Sequence, residues 1–278
     1  MITVEVVNVI AQVVLTPWES RRLIAKAVAS LDIVKKAMKN GIVAIARGST
    51  SGMVVEELLK GKFSRENYIA GCVRPQRLCI SLNKDTLPEI AFFHGEVKEI
   101  PVGEVVKEMG AGDVFIKGAN AVDPDLNAGI FLGTPIGGTS GATIGSIYAK
   151  GIHFVIPVGL EKLIPVKVNE ASLAAGYTKV DYSTGMPVGL FPIRGQVITE
   201  IQAIKSFCDV EVVPIGAGGM DGAEGSIVLN VSGADSEVEN ILEIIRKLLG
   251  EKPLEIPERR CADCDWGTCR WAGKEKFY

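Results

Sequence analysis

Three groups of residues in this 278-residue chain have types and spacings that could do chemistry. The first is Arg47-Gly48-Ser49-Thr50-Ser51-Gly52, set between the apolar run Ile42–Ala46 and a helical pattern from Met53 to Leu59. Backbone N–H groups, a helix N-terminus and three hydroxyls in one turn can cradle an anion such as phosphate. Arg47 adds a charge suited to bidentate phosphate contact. The plainer reading is an ordinary turn whose Ser or Thr caps the helix. The run is not a P-loop, because the terminal Lys-Ser/Thr pair is missing.

The second group begins where a short apolar strand, Val114–Ile116, ends in Lys117-Gly118-Ala119-Asn120. An acidic turn with Asp123 and Asp125 follows, then Gly133–Gly145, which holds five glycines and three threonines. Polar groups at the carboxyl end of a buried strand stand where open α/β sheets bind ligands. Within the glycine run, Gly137, Gly138, Thr139, Ser140 and Gly141 allow close approach to a ligand backbone or phosphate. The alternative is glycine demanded by tight turns. Lys117 carries three readings. It can pair with a phosphate or carboxylate, act as a nucleophile if desolvated, or pack its stem and send its head to solvent or an acid.

The third group is Cys261-x-x-Cys264-x4-Cys269 near the C-terminus. Three close thiols can hold most of a zinc or iron–sulfur centre. A fourth ligand could come from Cys72, Cys79, Cys208, His94, a water or a neighbouring subunit. A disulfide or three free thiols are the alternatives. Trp266 and Trp271 are expected to pin this tail to the body. No Ser- or Cys-based triad is formed with the two histidines, His94 and His153. Glu161, Asp221 and Glu224 are the remaining weak candidates for an acid in a cleft.

Positioning these groups requires a layered fold. Ile2–Leu15 reads as a strand or strand pair, and Thr16-Pro17 opens a helix running to Lys39. Ile42–Ala46 is a buried strand. Further strands are expected at Cys79–Leu82, at Ile90–Phe93 with a hairpin-like return through Gly95, and at Phe154–Val158. Helices are expected at Val102–Met109 and Thr143–Lys150, and loops over Glu161–Gly195. Beyond that lie a strand and helix in Val197–Phe207, strands at Val210–Ile215 and Ile227–Val231, and an amphipathic helix at Ser236–Leu249. The expected organisation is an α/β core over residues 1–195 with a mostly parallel sheet flanked by helices, a small α+β domain over 196–250, and a cysteine-containing tail over 251–278.

Composition sets the class. The chain is 47% hydrophobic and 23% charged, which is globular. A net charge of −3 without a basic stripe argues against nucleic acid as a partner. The apolar start lacks a basic leader and is too short for a membrane span. A soluble cytoplasmic homo-oligomer with no membrane partner is expected.

The run Lys117-Gly118-Ala119-Asn120-Ala121-Val122-Asp123-Pro124-Asp125-Leu126-Asn127 resembles ribose-5-phosphate isomerase of the A type. That family has strand–Asp-Gly-Ala-Asp-Glu-Val/Ile-Asp-Pro-Asp-Leu-Asn, then a lysine-bearing glycine loop and a helix. Its early Gly-Ser-Thr phosphate loop is matched by Gly48-Ser49-Thr50, and Phe154–Lys162 resembles its next strand and turn. Order and approximate spacing agree from about Lys35 to Lys162. The resemblance implies the fold shared with glucosamine-6-phosphate deaminases, coenzyme A transferases and sugar-responsive repressor sensor domains. The departures fall on the chemistry. The family's first two catalytic acids fall on Lys117 and Asn120, its loop lysine has no counterpart, and no carboxylate stands near Thr143–Gly145 where its base belongs. Asp123 and Asp125 fall on turn and structural positions. The expectation is a protein that binds a small anionic metabolite, a phosphorylated sugar or a nucleotide- or coenzyme A-like compound. It is either a divergent enzyme or, alternatively, a sensor that kept the pocket, or an interaction protein using its cysteine tail.

Overall fold

The computed structural model describes residues 8–81, 85–256 and 260–275. The early part of the expected Ile2–Leu15 strand and Leu82 lie outside them. β1 (Asn8–Leu15) leads into α1 (Pro17–Ser30). Thr16 and Glu19 form a reciprocal capping box with Pro17 in the first turn, which fixes where that helix starts. The expected single helix to Lys39 is broken at Leu31, whose ψ of 136° leaves the helical well; α2 (Asp32–Asn40) restarts with an acid at its positive end. β2 (Ile42–Ile45) and α3 (Ser49–Leu59) follow. The hairpins β3 (Gly71–Arg74)–β4 (Arg77–Ile80) and β5 (Ile90–Phe93)–β6 (Glu96–Glu99) come next, then α4 (Val102–Glu108).

β7 (Val114–Ile116), β8 (Ala121–Val122) and β9 (Ala128–Leu132) lead to α5 (Gly138–Lys150) and β10 (His153–Pro157). The segment expected as loops over the sheet contains α6 (Val168–Ala174) and β11 (Gly189–Ile193). The chain continues through β12 (Gln196–Ile198), α7 (Glu200–Phe207), β13 (Val210–Gly218), β14 (Ser226–Ala234) and α8 (Asp235–Arg246).

The central sheet has six strands in the order β12-β10-β7-β2-β5-β6. Its first four strands are mutually parallel. β5 joins β2 antiparallel and β6 joins β5 antiparallel, so the sheet is mixed, with a parallel four-strand part and an antiparallel edge. Alternation along the strands sorts side chains into two cores. Val43, Ile45, Val114, Ile116 and Val155 face a layer containing α1, α3, α7 and α8. Ala44, Phe115, Phe154 and Ile156 face α4, α5 and the β11-β9-β8 sheet. A three-stranded sheet, β1-β14-β13, draws on both ends of the chain. At the expected boundary near residue 195, β12 adds to the edge of the central sheet while β13 and β14 pair with β1. No helix among the described residues is long and apolar enough to cross a membrane.

Candidate functional site

The carboxyl ends of β2, β7 and β10 point the same way because these strands are parallel. The chain leaves β2 at Arg47, β7 at Lys117 and β10 toward Lys162, and all three side chains line one cavity of about 270 Å³. That volume lies near the lower edge of small-molecule sites, about 300–1,000 Å³. The N-termini of α3 and α5 close two of its sides through residues 48–51 and 137–140. Their unsatisfied N–H groups and dipoles favour an anion there.

Both helices start earlier than the sequence pattern predicts: α3 at Ser49 rather than Met53, and α5 at Gly138 rather than Thr143. Neither helix has a side-chain cap. The hydroxyls expected to cap α3 as the plainer reading therefore do something else. Thr50 is 3% exposed and Ser51 fully buried. The oxygens Thr50 Oγ1, Ser51 Oγ and Thr134 Oγ1 are buried without a hydrogen-bond partner in the structure, and all three residues line the cavity. Unpaired buried hydroxyls cost free energy unless something occupies the space they face.

The strand end that presents Arg47 is held by Tyr68, a fully buried residue. Its hydroxyl donates to Ile45 O at 2.5 Å and accepts from Ile90 N at 3.0 Å, joining β2 to β5. Burial pushes the phenol's pKa well up. The next backbone contact, Gly48 N to Tyr68 O at 2.9 Å, fixes the turn itself. Around α5, Gly137 has φ of 74°, and a Cβ on Gly141 would stand 1.7 Å from Ile136 O. Glycine is thus required by close backbone approach at the α5 entry.

The electrostatics are cationic at the front and acidic one layer behind. Arg47 donates to Leu87 O at 2.8 Å and stands 3.6 Å from Glu89, a carboxylate only 5% exposed. Glu89 also accepts from Thr139 Oγ1 at 3.0 Å and from Val102 N at 2.9 Å. Lys117 makes no hydrogen bond or ion pair with its ammonium among the described residues. Burial lowers its pKa, Glu89 opposes that shift and Arg47 adds to it. Lys162 donates to Ala119 O at 2.9 Å, and burial lowers its pKa against the pull of Glu161. Among the described residues, no Asp or Glu lines the cavity itself.

Of the ligand-binding residues expected from sequence, residues 47–51, Lys117, Asn120, Gly137, Gly138, Thr139 and Ser140 line this one cavity. Gly141 lines a neighbouring groove that carries no charged side chain. Glu161 pairs with Arg21 at 3.1 Å outside the cavity wall. Asp221 and Glu224 are exposed in the β13–β14 connection and do not reach the cavity. Asp123 is fully buried; burial alone would raise its pKa, but hydrogen bonds from Val168 N, Asn127 and Asp125 N hold it below the usual range. It is a turn organiser, as expected.

Sequence reasoning missed Glu89, Lys162, Tyr68 and the cavity-lining role of Trp266. Glu89 carried one signal, a lone acid against the apolar run Ile90–Phe93. Lys162 stood at the end of the turn that resembles the family's, and Trp266 was expected only as an anchor of the tail; Tyr68 carried no signal, since its neighbours are set by tertiary contact.

The tail lies against the cavity mouth. Trp266 Nε1 and Thr268 Oγ1 both donate to Gly133 O, at 3.2 and 2.7 Å, and Trp271 Nε1 donates to Ser183 O at 2.8 Å. Trp266 lines the large cavity and also a second one that contains Cys79, Cys261, Cys264 and Cys269. All of these cysteines are free thiols, and among the described residues no three His, Cys, Asp or Glu side chains already stand spaced as a metal shell. Cys208 is buried in the first core, away from both cavities. No family model matches the chain, and no curated protein or solved structure matches it.

Proposed function

We propose that this protein binds a small metabolite through a phosphate or similar anionic group at the carboxyl ends of β2, β7 and β10. The observation that carries this reading is that Thr50, Ser51 and Thr134, whose buried hydroxyls have no hydrogen-bond partner among the described residues, line one cavity with Lys117 and Lys162. Hydroxyls can donate to phosphate oxygens, the ammoniums neutralise its charge, and two helix N-termini add N–H donors. The rest of the ligand meets the apolar and glycine-rich walls from Ile130, Met186 and Trp266. Such a site suits a sugar phosphate or a fragment of similar size.

The lining has no carboxylate, and proton transfer between adjacent carbons needs a base within reach. Recognition is therefore favoured over aldose–ketose isomerisation. A second reading rests on Lys117 alone. Its unpaired amine, with a pKa lowered by burial, is suited to attack a carbonyl and form a Schiff base. Borohydride reduction in the presence of ribose 5-phosphate would then leave a covalent adduct on Lys117, and an unmodified Lys117 peptide by mass spectrometry excludes this second reading for that compound.

A thermal-denaturation screen tests the main reading with inorganic phosphate, ribose 5-phosphate, ribose, nucleotides and coenzyme A. A ligand at 100 times its dissociation constant adds about 2.7 kcal/mol. Phosphorylated compounds should raise the melting temperature and ribose should not. Equal, negligible shifts for every anionic compound would count against it.

A further inference from the structure

We infer that Cys79, Cys261, Cys264 and Cys269 form a thiolate site for a single zinc ion that staples the C-terminal tail to the β3–β4 hairpin. Three of these cysteines come from the tail, and the fourth lies 182 positions before Cys261 in sequence (261 minus 79). The fold nonetheless brings all four to one small cavity of about 20 Å³, between Arg77, Gly185 and Ala272. A space of that size admits a single small occupant.

Along the tail, partly covered and exposed residues alternate. In the tail, Cys261, Cys264, Trp266, Thr268 and Cys269 are partly covered, while Asp263, Asp265 and Gly267 between them face solvent. A tight turn closes Cys261 to Cys264, with Cys264 N donating to Cys261 O at 3.1 Å, and Gly273 N returns to Cys261 O at 2.8 Å. This loop-back folds the segment between Cys261 and Gly273, which contains Cys264 and Cys269, onto itself. On the hairpin side, Arg77 Nε stands 3.1 Å from Cys79 Sγ, and that donor stabilises a thiolate. Among the described residues the thiols do not stand as a metal shell, so binding requires the cysteine side chains to turn toward a common ion. One χ1 step between staggered wells moves a cysteine sulfur by roughly 3 Å, which is the kind of adjustment the site would need. Zinc accepts four thiolates at about 2.3 Å in a tetrahedron.

Energetics give the reason for such a staple. No residue in the segment 260–275 is fully buried. The tail is held by side chains donating to backbone carbonyls of Gly133, Asp181 and Ser183. A segment of this size without its own core gains order chiefly from a metal or a disulfide. Cys72, although opposite Cys79 in the hairpin, lines the large cavity and not the small one, so it serves as an internal control.

The test uses the full chain purified without an affinity tag under reducing conditions. Elemental analysis after incubation with zinc and desalting should find one zinc per chain. Cobalt substitution should give the intense sulfur-to-metal absorption of a four-thiolate tetrahedral site. Cys79→Ser should weaken cobalt binding at least tenfold and lower that absorption per bound ion, whereas Cys72→Ser should leave both unchanged. Because Cys79 is also part of the β3–β4 hairpin, Cys264→His provides a second variant outside it; it should keep one metal per chain with reduced sulfur-to-metal intensity. Absence of stoichiometric zinc, an unchanged cobalt spectrum in Cys79→Ser, or acid-labile sulfide with a brown chromophore would each overturn the inference.

Discussion

At the residue scale, Lys117 and Glu200 are the most informative side chains because burial shifts the pKa of each, downward for Lys117 and upward for Glu200. Burial lowers Lys117, so the free cavity keeps its ammonium only to a lower pH than the usual 10.5. An anion in the cavity restores the charge and raises that pKa. Affinity for a phosphorylated ligand should therefore fall as pH rises through the free-state pKa of Lys117, and Lys117→Met should flatten this dependence in calorimetric titrations. Glu200, at the start of α7, is pushed up to about 7 by burial and by the neighbouring Glu161 carboxylate, while accepting from Leu160 N at 2.9 Å. The folded state thus holds a proton that the unfolded chain releases near 4.5. Native stability from this group is full below that value and is lost as pH rises through about 7. Glu200→Gln keeps an acceptor for Leu160 N and removes the charge. Its stability relative to the wild type should rise by about 2–3 kcal/mol between roughly pH 5 and pH 9, measured by urea denaturation. An equal difference at both pH values would show that Glu200 is not protonated in the fold.

At the element scale, the site depends on how β2 ends and how α3 and α5 begin. Tyr68→Phe leaves Ile90 N and Ile45 O without their shared partner and should cost about 1–3 kcal/mol in chemical denaturation. A loss under a few tenths would mean that water replaces the hydroxyl. Gly141→Ala places a Cβ against Ile136 O, so the first turn of α5 must move. Faster amide exchange in residues 137–141, with α1 unaffected, is the expected result. These elements also show what a sequence can convey. The runs Arg47–Ser51 and Lys117–Asn120 were legible because each follows a short apolar strand and precedes glycines or a helix. The helix starts were misjudged by four residues at α3, 53 against 49, and by five at α5, 143 against 138. Glycine and serine in a first helical turn read as loop, because helix propensity there is weak and backbone packing decides. The same holds for β8 and β9, two short pairings whose stability comes from β11, far along the chain. The break at Leu31 left no mark in the apolar spacing.

At the scale of the whole molecule, a mixed sheet with a core on each face supports a cavity at its strand ends, and a coreless tail forms part of that cavity's wall. Removing residues 260–278 leaves both cores intact, so the melting temperature should change little while ligand affinity falls through loss of Trp266. Comparable losses in stability and affinity would mean that the tail belongs to the folding unit. Cavity and tail were each visible as a motif, but their contact was not, since nothing local links Gly133 to Trp266. The central claim is that Lys117 and the buried hydroxyls receive an anion. The most direct test is calorimetric titration of the wild type, Lys117→Met and Ser51→Ala with ribose 5-phosphate at neutral pH. Saturable binding by the wild type, at least tenfold weaker in each variant with unchanged folding by circular dichroism, is the predicted result. Undiminished affinity in both variants would contradict it.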